Sequence, residues 1–208
     1  MVGRGPGPGR GMSVLVGLVR HGAHDDLGTW LSGRTRDIAL NTAGRDGTVA
    51  LAQRLAERGV TTITTSPRRR TAETAAILGQ GLDLTPVPSD ALDEIDFGAW
   101  SGARFADLNG DPAWQHWNAA RGTAPTPGGE TMGAAVARAM AHLDGLAERG
   151  GGPVLCVSHC DVIRGMIAHV LGLSLDNILR FEIAPASVSW VMTHGQGRAH
   201  VLTINGTE

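Results

Sequence analysis

The chain has 208 residues, 42% of them apolar and 18% charged, and a formal net charge of -2. Those values fit one substantial α/β domain, or a domain with a small insertion, and they provide no basic surplus for a nucleic-acid partner. No apolar run approaches the ~18 residues needed to cross a bilayer, which argues against a membrane partner.

Residues 1–11 are rich in Gly, Pro and Arg and lack the apolar core of a signal peptide. They read as an extension ahead of a natural start near Met12, so residues 1–12 are expected to be disordered and residues 13–208 to form a single domain. Residues 14–19 are continuously apolar, as in a strand buried on both faces of a parallel sheet. A loop to Leu40 follows. Thr42 is a plausible N-cap for a helix to about Arg58, with Leu51 and Leu55 on its buried face and Gly59 as its stop. Residues 60–65 are β-branched and predict strand two. Ser66 as N-cap and Pro67 at the first helical position then predict a helix to about Leu78, stopped by Gly79. A short extended piece is expected over residues 84–88. Residues 93–130 are dense in Gly, Pro and Trp and predict a lid, centred on residues 95–130, over the carboxyl ends of the strands. A long Ala-rich helix covers residues 131–149. Residues 154–157 predict another strand, 161–171 a helix, and 187–193 with 199–204 a hairpin at a sheet edge. Strand and helix alternate, which predicts a three-layer α/β/α fold with a mostly parallel sheet.

Chemistry-bearing residues collect at strand ends. Arg20-His21-Gly22 follows the first apolar run and Ser158-His159 follows another. In open α/β sheets the crevice at the carboxyl ends of the strands is the usual ligand site, so the two histidines could face one ligand. Ser66-Pro67-Arg68-Arg69-Arg70 opens a helix. A helix N-terminus offers free N–H groups to anions, and guanidinium forks match phosphate oxygens.

Leu18-Val19-Arg20-His21-Gly22, Ser66 through Thr74, Leu92-Asp93-Glu94-Ile95-Asp96-Phe97-Gly98, Pro127-Gly128-Gly129-Glu130-Thr131 and Val157-Ser158-His159 occur in this order. Together they resemble the histidine phosphatase superfamily, in its phosphoglycerate-mutase-like branch, over roughly residues 13–204. The resemblance implies a metal-independent phosphomonoester hydrolase acting through phosphohistidine on a small phosphorylated metabolite. It implies His21 as nucleophile, Arg20 and Arg70 as phosphate clamps, His159 as the second phosphate-binding histidine, and Glu94 as proton donor. Arg68 and Arg69 are expected to be dispensable. Chemistry alone leaves Asp93 and Asp96 as rivals of Glu94. A phosphoglycerate mutase with the same residues, or a non-catalytic phospho-ligand binder, are the alternatives.

Two positions depart from the pattern. Ala23-His24 stands where many relatives carry Glu-Thr or Glu-Ser, so His24 either substitutes as a substrate-binding group or is exposed. Cys160 replaces the usual Gly after His159. It narrows the pocket as a packing residue, or carries a thiol whose pKa a cationic neighbour lowers. Asp161 reads as a helix N-terminal residue that Arg164 could pair with. His116 could touch substrate but fits a surface helix better. Lid tryptophans Trp100, Trp114 and Trp117 fit local packing. The other histidines lack metal-ligand spacing, so no metal and no cofactor are expected. Cys156 and Cys160 form neither a CxxC nor a zinc pattern, which leaves a cytoplasmic location as the default. The expected partner is a small-molecule phosphate ester, and a homodimer is compatible with the sequence.

Overall fold

Strand β1 (Val14–Arg20) is apolar along both faces because both are covered. The computed structural model describes residues 13–206; the extension expected over residues 1–12 lies outside them, as do residues 207–208. In β1, Val14, Val16 and Leu18 point into one hydrophobic cluster, and Leu15 and Val19 into a second. This is the period-two alternation of a strand, with both sides buried.

The second cluster is closed by α1 (Thr42–Leu55) and α2 (Arg69–Leu82), through Leu51, Leu55, Ala75 and Leu78. The first is closed by α5 (Met132–Arg149) and α6 (Cys160–Val170), through Val136, Leu143, Ile163 and Ile167. Between them lies one six-stranded sheet in the order β3-β2-β4-β1-β5-β6. Strands β2 (Thr62–Thr65), β3 (Val87–Pro88) and β4 (Val154–Ser158) join β1 in a parallel set, and β5 (Val188–Thr193) and β6 (Ala199–Gly206) add an antiparallel hairpin. The expected three-layer, mostly parallel arrangement is therefore present.

Element ends differ from expectation for local reasons. Asn41, not Thr42, caps α1: its side-chain oxygen accepts from the Gly44 N–H at 2.9 Å. Helix α2 begins at Arg69, with Arg68 at the cap position. The Ser66 hydroxyl accepts from the Arg68 N–H at 3.3 Å and is shared with Asp93 and His159. Helix α2 also runs through Gly79 to Leu82 and turns at Asp83, which takes a left-handed φ of 55°. Gly79 serves a close approach: a Cβ there would meet the Leu84 carbonyl oxygen at 2.4 Å. The extended piece expected over 84–88 shrinks to Val87–Pro88 at the sheet edge, where a missing N–H is tolerated.

The lid contains a 3-10 turn over Gly98–Trp100 and two short helices, α3 (Phe105–Leu108) and α4 (Pro112–Ala119). Trp100, Trp114, Trp117 and Phe97 form a connected aromatic cluster with ring centroids 5.2 to 6.1 Å apart. These rings belong to the same core as α5 and α6, so the lid is packed into the domain. Gly98, at φ 54°, lets the lid cross the return loop: a Cβ there would meet the Pro127 carbonyl oxygen at 2.1 Å. Trp117 is fully buried. Trp117→Ala is expected to lower unfolding stability by about 3–5 kcal/mol, read as an earlier single urea transition. A loss of well under 1 kcal/mol would mean that the lid is held independently of the core.

Candidate active site

Because β1 and β4 are parallel neighbours with Arg20 opposite Ser158, His21 and His159 leave the sheet side by side. Their ring centroids are 5.4 Å apart. Helix α2 starts at the end of β2, on the far side of β4, and delivers Arg70 to the same point. His21 and Arg70 line a cavity of about 290 Å³ together with Arg20, His24 and Glu94, whereas His159 is fully buried against Arg70 and is not part of the lining.

His21 is buried, and its Nδ1 lies 2.9 Å from the carbonyl oxygen of Gly22. A carbonyl only accepts, so Nδ1 carries the hydrogen and Nε2 keeps its lone pair. Burial first, then the charges of Arg70 and Arg20, hold the His21 pKa well below the usual histidine value. The ring is therefore neutral and nucleophilic at neutral pH.

Arg70 is 2% exposed. Its Nη2 donates to the Gly33 carbonyl and to Nδ1 of His159, each at 3.0 Å. Its Nη1 is buried without a partner. Arg20 donates from Nη1 to the Ile183 carbonyl at 2.5 Å, and its Nε is likewise buried and unpartnered. Buried unpaired donors are uncommon and call for an acceptor. The three consecutive arginines separate cleanly. Arg69 faces solvent and pairs with Glu73. Arg68 grips the buried Asp93 carboxylate, Nε to Oδ1 and Nη2 to Oδ2, both at 2.9 Å.

Glu94 faces the cavity beside Arg70 and His21, and Asp161 and Glu182 line it as well. Its Oε2 lies 3.5 Å from Arg70 Nη2 and 3.6 Å from His159 Nδ1, and its Oε1 accepts from the Ile95 N–H. Burial pushes its pKa up to about 7, against the opposing pull of Arg70. Of the rivals, Asp93 is locked by Ser66, Arg34 and Arg68, and Asp96 accepts from the Gly98 N–H in the lid turn. Neither lines the cavity.

His159 is fully buried and departs from the expected cationic or donating group on the cavity side. Arg70 can only donate, so Nδ1 accepts and the ring hydrogen sits on Nε2, 2.8 Å from Ser66 Oγ. Burial and Arg70 hold its pKa well below the usual value. His24 is buried rather than exposed, with its ring 5.1 Å from that of His21 and its Nδ1 unpartnered. Burial and then Arg70 lower its pKa to about 4. Cys160 lines the cavity, but burial pushes its thiol up to about 11, opposite to the activation considered above. Asp161 pairs with Arg164, as expected, and also with Arg121 at 2.7 Å. His116 is exposed. Among the described residues, no group of three or more His, Cys, Asp or Glu is placed to hold a metal, and no helix is long and apolar enough to cross a membrane.

Two sets of residues carried no readable signal. The loop after His21 forms a wall of the cavity through Leu27, Trp30 and Leu31. Trp30 is fixed between the guanidinium groups of Arg36 and Arg104, 4.5 and 4.9 Å from its ring centre. The Glu94 backbone is pinned from two distant elements: its carbonyl accepts from Arg34 Nε at 2.6 Å and from Arg138 Nη2 at 3.0 Å. Glu130, in the quoted Pro127–Thr131 stretch, holds both arginines at 2.7 Å. The stretch was visible in sequence, but its bracing partners were not.

Comparison with known proteins agrees with this geometry. A bifunctional protein of Mycobacterium tuberculosis is 31% identical over 206 residues, covering 95% of this chain and 55% of that protein. The chain thus spans about half the length of that curated relative. The glucosyl-3-phosphoglycerate phosphatase of M. tuberculosis is 29% identical over 201 residues, covering 91% of this chain and 84% of that one. The solved native structure of the mycobacterial enzyme superposes with a TM-score of 0.79 at 27% identity, over 94% of this chain and 100% of that one. Bacillus stearothermophilus YhfR superposes with a TM-score of 0.85 at 25% identity, over 94% and 98%. The family model for branch 1 of the histidine phosphatase superfamily matches residues 16–206. This chain therefore belongs to branch 1 of the histidine phosphatase superfamily.

Proposed function

We propose that the chain hydrolyses a small phosphate monoester without a metal, through a phosphohistidine on His21. The observation that carries this reading is the pairing of a neutral His21, its Nε2 free, with a Glu94 whose pKa is about 7 in the same cavity. A site that merely held a phosphate would need neither.

Phosphoryl transfer depends on positioning and on neutralising the equatorial oxygens. The unpartnered donors of Arg20 and Arg70 supply that charge, and His24 adds a ring at the same cavity wall. His21 Nε2 attacks phosphorus as the ester P–O bond breaks, and the Glu94 proton goes to the leaving alkoxide. Water then attacks the phosphohistidine, Glu94 takes its proton, the P–N bond breaks, and inorganic phosphate leaves. His159 and Arg70 hold the group during both steps. Leu27, Trp30, Leu31 and Phe105 offer apolar surface, and Asp161 and Arg164 polar surface, to the alcohol portion. That mixture suits a sugar-like phosphate, the class named by the glucosyl-3-phosphoglycerate phosphatase relative.

His21→Ala is expected to abolish turnover of p-nitrophenyl phosphate and the acid-labile phosphoenzyme seen after rapid quench, while the protein stays folded. Chelators should leave the wild-type rate unchanged. Hydrolysis persisting in His21→Ala would exclude phosphohistidine. Release of inorganic phosphate, rather than transfer to a second hydroxyl, separates hydrolase from mutase.

Glu94 must be protonated to act on the leaving group, so kcat/KM for alkyl phosphates is expected to fall as pH rises through about 7. p-Nitrophenyl phosphate, whose leaving group needs little protonation, should show no such limb. Glu94→Gln should slow alkyl phosphates by about a hundredfold or more and p-nitrophenyl phosphate far less. Equal losses on both substrates would place the acid elsewhere.

A further inference from the structure

Behind His159 lies a polar chain that the proposed chemistry has not yet used. Its first link is fixed by donor inventory: Arg70 Nη2 donates to His159 Nδ1, so the ring hydrogen is on Nε2 and points to Ser66 Oγ at 2.8 Å. The Ser66 hydroxyl, having accepted there, donates its own hydrogen to Asp93 Oδ1 at 3.1 Å. Asp93 is 4% exposed and is met by Arg68 at 2.9 Å, Arg34 at 3.5 Å, and the Glu94 N–H at 2.8 Å. All four side chains of the relay are buried, and every hydrogen bond in it runs one way, from Arg70 through His159 and Ser66 to Asp93.

We infer that Ser66 and Asp93 are positioning residues for His159, fixing its tautomer and supplying the counter-charge that lets its Nδ1 carry a proton against a bound phosphoryl group. This rests on the hydrolase reading above. In the empty site Arg70 occupies Nδ1. A phosphate dianion in the cavity draws Arg70 to itself, and Nδ1 is left facing the anion. It then takes one proton from solvent, becomes part of an imidazolium that donates to a phosphoryl oxygen, and returns the proton to solvent when inorganic phosphate leaves. The imidazolium is tolerable in a buried site because its other N–H is linked through one hydroxyl to a carboxylate. The same physics lets a buried aspartate support the histidine of a hydrolytic triad. Groups facing the ring come from every side: Arg68 and Arg70 at the start of α2, His21 after β1, Asp93 and Glu94 before the lid, and Arg138 on α5. Four of them, Arg68, Arg70, His21 and Arg138, disfavour the cation when the site is empty. A carboxylate relay and a bound dianion are what reverse the balance.

The test follows the histidine ring nitrogens by 15N–1H correlation, with and without saturating inorganic phosphate at neutral pH, using His159→Gln to assign the signals. In the wild type, His159 is expected as the neutral Nε2–H tautomer without phosphate and as imidazolium with it. Ser66→Ala should leave the ring neutral in the phosphate complex and lower kcat on p-nitrophenyl phosphate by about ten- to a hundredfold, the protein still unfolding in one cooperative transition at a lower midpoint. Asp93→Asn should keep the Nε2–H tautomer but lose the charged form. If Asp93→Asn does not fold, Ser66→Ala decides alone. A wild-type ring that stays neutral with phosphate, or a Ser66→Ala ring that charges like the wild type, overturns the relay. If the wild type hydrolyses no phosphate ester, the hydrolase reading fails instead, and the phosphate titration still decides the relay.

Discussion

A guanidinium that is 2% exposed must be met by acceptors or by an anion, and Arg70 has only some of what it needs. Its Nη2 is satisfied by Gly33 and His159, while Nη1 is not satisfied by any protein group. The rest of the site is arranged around that unbalanced cation. Its field keeps His21, His24 and His159 neutral, adding to burial in each case. It also restrains Glu94, which burial alone would protonate still more firmly. Burial thus leads the protonation of these four neighbours, and the one buried charge adds to it at the three histidines and opposes it at Glu94.

Support for this arrangement is mostly polar and comes from far along the chain. Arg34 lies in the loop after β1 and Arg138 on α5, yet both donate to the Glu94 carbonyl, and Glu130 ties them together. Asp93 is similarly shared by Arg34, Arg68 and Ser66. Breaking one member of such a network leaves another charge buried without a partner, which costs more than the contact itself contributes. The segment that carries Glu94 has little regular structure of its own, and its position is fixed by these hydrogen bonds.

Legibility in the sequence followed the range of the interactions. Residues 14–19 announced a strand because its five apolar side chains must be covered on both sides, and Arg20-His21 then had to emerge at its carboxyl end. The choice of Arg70 over Arg68 and Arg69 rests on family register; of the three, Arg70 alone lines the cavity. The pairing of Arg68 with Asp93, 25 residues away, left no local trace. Ser66 looked like a helix cap by every local rule, and its hydroxyl does accept from the Arg68 N–H, but it is shared with two further partners, Asp93 and His159, that no local rule could place. Gly79 read as a helix stop for the same reason: the returning chain at Leu84, which requires it, is a tertiary neighbour. The loop from His21 to Leu40 had no periodicity to read, so the cavity wall at Trp30 went unseen.

The tryptophan cluster backs one wall of the cavity, through Phe97 against Trp117 and Phe105 against Trp114, and keeps that wall from moving independently. Trp100, Trp114 and Trp117 share a core with α5 and α6, and the crossing at Gly98 leaves no room between lid and return loop. Opening that wall would expose several large aromatic surfaces at once, a cost far above thermal energy. The neighbouring wall is tied to it: Trp30 pairs with Arg104 of the lid, and its ring lies between Arg104 and Arg36. Two walls of the cavity thus form one rigid surround. On the proposed function, vacating the site would turn on how firmly Arg20 and Arg70 hold the departing phosphate rather than on the swing of a hinge.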